Sequence, residues 1–109
     1  MKDNMYENVQ IQERALLVSL DTGEYDAEAS LSELRELTKT AGADPAFDLM
    51  QKRPAPDAAT CLGSGMAEEA AGLIKREELD LCIFDRELSP TQIRNLEELF
   101  GVRVIDRTM

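Results

Sequence analysis

The chain has 109 residues, 43% of them apolar, and a net charge of −10 with no histidine. That length suits one domain, and that apolar share supports a packed core, which excludes a disordered chain. Such negative charge excludes a general nucleic-acid binder, because neutralising phosphates needs clustered Lys and Arg, and the missing imidazole excludes histidine-based catalysis and metal ligation.

Residues 1–12 are polar and aperiodic and read as a flexible lead-in to a domain over 13–108. Ala15 to Leu20 is a short unbroken apolar run stopped by Asp21-Thr22-Gly23. A run without alternation suits a parallel strand covered on both faces. Ser30-Leu-Ser-Glu33 fits a capping box, and Leu31, Leu34, Leu37 and Thr38 then share one side of a helix that Gly42 stops. Asp44 to Lys52 reads as a second strand, with Pro45 near its start placing it at an edge.

The segment Gln51 to Met66 breaks this rhythm. Pro54 and Pro56 forbid a helix, while Gly63-Ser64-Gly65 lets backbone approach a ligand closely and leaves free N–H groups at a helix start. Met66, Ala70, Leu73 and Ile74 then give helical spacing, and Leu79 to Phe84 a third strand ending at Asp85. Ser89-Pro90-Thr91-Gln92 is a capping box with proline at the first helical position. Ile93, Leu96, Leu99 and Phe100 face inward, Gly101 ends the helix, and Val102 to Ile105 forms a fourth strand.

Strict alternation of four strands with three main helices predicts a small three-layer α/β domain. Its sheet is parallel, and right-handed crossovers favour the strand order 2-1-3-4. That order puts Asp21 and the Asp85-Arg86-Glu87 turn beside the crevice where open α/β sheets bind ligands. The charge is uneven along the chain. Residues 1–50 carry 4 basic and 11 acidic side chains, net −7; residues 51–66 carry 2 and 1, net +1; residues 67–109 carry 6 and 10, net −4. A negative partner would therefore meet the loop.

Gln51-Lys-Arg, Pro56-Asp-x-x-Thr60 and Gly63-x-Gly-x-x-Glu-Glu69 resemble the glycine-rich segment of the amino-terminal domain of HflX-type ribosome-associated GTPases. The run from Phe84 to Glu97 through Leu88-Ser89-Pro90-x-Gln92-x-Arg94-Asn95, then Val104-Ile-Asp-Arg-Thr108, resembles that family more specifically, as does Glu13 to Val18. The chain departs from it at Cys61, where the family has an aromatic, and at Ser64 and Met66, where it has lysines.

This resemblance implies a non-catalytic domain that docks on the large ribosomal subunit and its rRNA. In the full-length family that docking supports GTP-dependent rescue or splitting of ribosomes. RNA contacts are then expected from Gln51, Lys52, Arg53, Gly63, Ser64, Gly65 and Arg94, with Asp21, Asp85 and Glu87 supporting the loop. The resemblance places GTP and Mg²⁺ in a separate GTPase domain, itself an expected partner, beyond these residues; no phosphate-loop motif occurs among the 109. No cofactor or metal is expected in this domain, and no DNA partner.

Three alternatives stay open. The domain could bind a purine nucleotide in the crevice, or restrain the GTPase domain through an exposed apolar patch. Asp21 and Asp85, with Glu87, could instead hold Mg²⁺ for hydrolysis. Cys61 and Cys82 are too few for a disulfide framework, Cys61 lacks an imidazole partner, and no apolar stretch approaches the ~20 residues of a membrane span. A reduced cytoplasmic protein is expected.

Overall fold

The computed structural model describes residues 12–108, so the expected lead-in lies outside the described residues except for Gln12. Strand β1 (Arg14–Asp21) is followed by helix α1 (Ala27–Thr40), β2 (Asp44–Lys52), α2 (Ser64–Arg76), β3 (Leu81–Phe84), α3 (Pro90–Phe100) and β4 (Arg103–Asp106). The four strands form one parallel sheet in the order β2-β1-β3-β4, the order the crossover rules favour.

The unbroken apolar character of β1 has a two-sided cause. Ala15 and Leu17 face α1, where they pack with Leu31, Leu34, Leu81 and Ile83. Leu16, Val18 and Leu20 face α2 and α3, where Ala67, Ala70, Ile74, Leu96 and Phe100 close over them. Each buried leucine contributes about 1.5–3 kcal/mol, so the central strand anchors both cores. Pro45 lies on edge strand β2, where a bulge at Ala46 shifts the register so that Ala15 pairs with Pro45 and Leu16 with Phe47.

Helix α1 starts earlier than the Ser30 capping box predicts. Asp26 is its N-cap, accepting from the Ala29 amide at 3.0 Å, and Ser30 lies within the helix. Ser30 and Glu33 are drawn off by Arg107, which donates to the Ser30 hydroxyl and carbonyl and pairs with Glu33. Two leucines expected inside are exposed: Leu37 by 52% and Leu99 by 42%. One helix covers the α1 face of a four-stranded sheet, so Leu37 sits on the open side beside Ile83 and Ile105. Leu99 borders a groove between the carboxyl ends of α2 and α3. Strand β3 starts at Leu81, although Leu79 before it is buried. Strand β4 spans Arg103–Asp106, one residue later than expected.

The α3 amino end follows its sequence closely. The Ser89 hydroxyl accepts from the Gln92 amide at 3.1 Å, and the Gln92 side-chain oxygen accepts from the Ser89 amide at 2.9 Å. Gly101 closes the helix at φ +71, a left-handed conformation that glycine adopts without strain.

Candidate nucleic-acid interface

The loop after β2 leaves the sheet at its carboxyl edge. Asp21 pairs with Lys52 in register, and the Arg53 amide donates to the Asp21 carbonyl at 3.1 Å. Two prolines then prevent the ladder from continuing, and Arg53 Nε donates to the Ala55 carbonyl at 3.2 Å.

Beyond Pro56 the backbone folds on itself. Asp57 and Cys61 exchange two backbone hydrogen bonds, of 2.9 and 2.8 Å. The Asp57 carboxylate accepts from the amides of Ala59 at 2.7 Å and Thr60 at 3.1 Å. Those bonds hold its carboxyl below the usual carboxylate range. Thr60 donates its hydroxyl to the Leu62 carbonyl at 2.9 Å, and the Leu62 amide donates to the Thr60 carbonyl at 2.6 Å. Cys61 forms the centre of this tight turn at φ +68, with its side chain fully buried. Burial pushes its thiol pKa up, against the pull of Arg86 and Arg53. Cys82, enclosed in the core, is also pushed up by burial.

Helix α3 fastens this loop. Gln92 Nε2 donates to the Asp57 carbonyl at 2.8 Å, and Asn95 Nδ2 donates to the Ala59 carbonyl at 3.0 Å. From the other side, Gln51 Oε1 accepts from the Gly63 amide at 3.0 Å. Sequence reasoning missed the part that Gln92 and Asn95 play in holding the loop: Gln92 reads only as a cap and Asn95 only as a member of the family-like run. Their signal was the three-residue spacing, which sets both amides on one side of α3.

Gly63 and Gly65 serve different ends. A side chain at Gly63 would meet Arg53 Nη1 at 2.6 Å and Gln51 Nε2 at 3.2 Å, so this glycine lets the guanidinium cross the helix start. A side chain at Gly65 would meet nothing within 4 Å. No side chain caps α2, and both Ser64 and Gly65 are exposed. The amino end of α2 thus points open N–H groups outward, with the positive end of the helix dipole behind them.

The structure brings Gln51, Arg53, Gly63, Ser64 and Gly65 together and sets Lys52 and Asp21 beside them. Asp21, Thr22, Gly23, Lys52, Arg53 and Pro54 line an open cavity of about 430 Å³. Arg94 is exposed on α3 and makes no side-chain hydrogen bond among the described residues. Lys52, Arg53, Arg86 and Arg94 form no salt bridge among the described residues, whereas Arg35, Lys39, Arg76, Arg103 and Arg107 all do. Arg14 and Lys75, both away from the loop, form none either among the described residues.

The acidic residues take other roles. Asp21 Oδ1 accepts from the Gly23 amide at 3.0 Å and shapes the turn after β1. The Asp85 side chain is fully buried and pairs with Arg107, not with Arg53 or Arg86. Burial alone would lower the Arg107 pKa, but hydrogen bonds and charge from Asp85, then Glu33, raise it. Glu87 is exposed and makes no side-chain hydrogen bond among the described residues, so the support expected from it is absent. Asp106 supplies support instead, accepting from the Leu88 amide at 2.8 Å and from Thr108. No group of three or more metal-ligating side chains occurs among the described residues. No described helix is long and apolar enough to cross a membrane.

The profile of the family described as GTP-binding GTPase N-terminal matches residues 28–109. The chain is 41% identical over 106 residues to GTPase HflX of Caldanaerobacter subterraneus subsp. tengcongensis, covering 97% of this chain and 24% of that protein. It is 45% identical over 101 residues to GTPase HflX of Lacrimispora saccharolytica, covering 92% and 24%. The match to GTPase HflX of Escherichia coli K12 is 37% over 105 residues, covering 95% and 24%. The chain spans about a quarter of the length of these relatives, and none of its residues forms a phosphate-loop motif. The profile match over most of the chain and the identities to HflX relatives show that it belongs to the GTP-binding GTPase N-terminal family, as the amino-terminal domain type of HflX GTPases.

Proposed function

We propose that this domain is a non-catalytic module that docks on the large ribosomal subunit by contacting rRNA with the glycine loop. The observation that carries this reading is that Lys52 and Arg53, which form no salt bridge among the described residues, stand beside an uncapped helix start, with Arg53 Nη1 lying over Gly63, in an otherwise acidic chain. Acidic surface elsewhere repels RNA, so contact is confined to this tip and is orientation-specific. Docking of this kind supports GTP-dependent ribosome rescue or splitting in the cytoplasm, with GTP and Mg²⁺ handled by the GTPase domain of the full-length protein. Neither DNA nor a membrane is a partner in this reading.

The test is large-subunit binding by Lys52→Ala/Arg53→Ala and wild type over a salt series. Loss of two phosphate contacts lowers the slope of log K against log salt by roughly 1.5. An unchanged affinity and slope removes the loop from the interface.

A second reading rests on Leu37 and Leu99, which are large, apolar and exposed. They lie on opposite faces of the sheet, so one or the other suits an intramolecular contact through which the domain restrains its GTPase domain. Leu37→Ser or Leu99→Ser then raises basal GTP hydrolysis by the full-length protein; unchanged hydrolysis in both variants ends this reading.

A further inference from the structure

Asp21 and Lys52 form the last register pair of β1 and β2. Alternation along both strands turns them to the α1 face, on the side where Leu17 and Met50 pack. A carboxylate and an ammonium opposite each other on neighbouring strands attract. These two form no salt bridge among the described residues. Asp21 Oδ1 is taken by the Gly23 amide at 3.0 Å, and its other oxygen accepts no hydrogen bond among the described residues. Lys52 is exposed and donates none there either.

Both line the open cavity of about 430 Å³ between the turn after β1 and the loop after β2. Small-molecule sites span about 300–1,000 Å³, so this one admits a compact ligand. Two of its lining residues carry no long side chain. Gly23, held at φ +85, has no atom within 4 Å of where a side chain would begin, and Pro54 presents an exposed ring. The other polar groups are engaged. Thr22 gives its hydroxyl to Glu24 at 2.9 Å, and Arg53 turns Nε to the Ala55 carbonyl and Nη1 over Gly63. The Asp21 carboxylate and the Lys52 ammonium are left to meet a ligand.

We infer that this cavity seats one unstacked nucleobase bearing amino hydrogens, guanine above all, from a single-stranded stretch of the RNA partner. The RNA source rests on the docking reading above; the seat rests on the cavity's own residues. An ionised carboxylate only accepts hydrogen bonds. It therefore takes the adjacent N1–H and amino hydrogens of guanine and mismatches uracil, whose single N–H lies between two carbonyl oxygens. A lone anion is repelled by Asp21 and a lone cation by Lys52. A nucleotide offers a donor edge to the first and a phosphate to the second. Its flat ring packs against Pro54 and the bare backbone of Gly23. Bases splayed from single-stranded RNA are those whose edges proteins read in this way.

The experiment titrates this chain with heptauridylate, the same strand carrying guanosine at its centre, GTP, and the peptide Gly-Lys-Glu-Gly. Amide signals of Thr22, Gly23 and Lys52 are followed, and thermal melts check folding. The guanosine strand gives saturable shifts at these residues and binds about tenfold tighter than heptauridylate. Asp21→Asn keeps an oxygen for the Gly23 amide and removes the charge. Its preference for the guanosine strand falls at least about fivefold, while its affinity for heptauridylate stays level or rises. Plain attraction to phosphate would instead strengthen for both strands alike. Lys52→Gln weakens both strands by a similar factor. Asp21→Glu, which shifts the carboxylate by one methylene, also lowers the preference and decides the matter if Asp21→Asn does not fold. Equal affinity for the two strands, an unchanged preference in Asp21→Asn, or tighter binding of the peptide overturns the seat. GTP binding tighter than the guanosine strand overturns the RNA source.

Large-subunit binding is measured with the same proteins. A subunit affinity lost in Lys52→Ala/Arg53→Ala but intact in Asp21→Asn overturns the RNA source and leaves docking standing. Guanosine-selective binding by a wild type that does not bind the subunit overturns docking and leaves the seat standing.

Discussion

Gln92 is bonded at both ends of one amide: its oxygen takes the Ser89 N–H at 2.9 Å and its nitrogen reaches the Asp57 carbonyl at 2.8 Å. The first bond caps α3 and the second holds a loop 35 residues away in sequence. Gln92→Glu preserves the acceptor and removes the donor. That variant loses about 1 kcal/mol of stability while α3 keeps its cap. Urea melts give the loss, and amide exchange shows it at Asp57 to Leu62, with α3 unaffected. Faster exchange throughout α3 contradicts the division of roles.

The two glycines of the loop respond oppositely to substitution. Gly65→Ala adds a methyl group to open space on a helix, which stabilises the fold by up to about 1 kcal/mol. The melting temperature rises by about 2–6 °C, while binding to the large subunit weakens because the methyl group blocks the α2 amino end. Gly63→Ala displaces the Arg53 guanidinium and the Gln51 amide and destabilises the fold. Paired melting and binding curves check both; tighter binding by Gly65→Ala overturns the assignment of that helix start to a partner.

Arg107 closes the α1 side of the sheet. Its partner Asp85 has a fully buried side chain, while Arg107 itself is 29% exposed and Glu33 is 64% exposed. Arg107→Met strands a buried carboxylate and costs about 2–3 kcal/mol, below the full range for buried pairs because solvent reaches the arginine. Glu33→Gln costs under about 0.5 kcal/mol. Adding Asp85→Asn to Arg107→Met recovers part of the loss, since the stranded charge is gone. Chemical denaturation of the four proteins checks the order.

Acid should release the Asp57 turn before the core. A carboxyl depressed in the folded state stabilises above its unfolded pKa of about 3.9 and loses that stabilisation as pH falls through its lower folded value. The Ala59 and Thr60 amide signals therefore stay constant down to about pH 4 and move below it. Asp57→Asn keeps an acceptor for both amides but cannot titrate, so those signals stay flat to lower pH. Movement of equal size in Asp57→Asn assigns the change to another group.

Much of the fold was legible in the chain. The unbroken run Ala15 to Leu20 identified a strand buried on both faces, and Pro45 an edge. Ser89, Pro90 and Gln92 identified a helix start from local chemistry alone. Ser30 misled, because its capping pattern competed with Asp26, which occupies the actual cap, and with Arg107, 77 residues away. Leu37 and Leu99 fit the helical period, but periodicity gives only the side of a helix and not whether another layer covers it.

By itself the sequence determined the alternation of strands and helices, the parallel sheet order and the one window that is not acidic, because all three follow from local pattern and short right-handed connections. Tertiary structure alone decided that Asp85 belongs to Arg107, that Gln92 and Asn95 fasten the loop, and that Arg53 lies over Gly63 at the α2 amino end. These depend on which distant side chain reaches a given charge or carbonyl first. Spacing along the chain does not encode that distance, and the packed sheet fixes it.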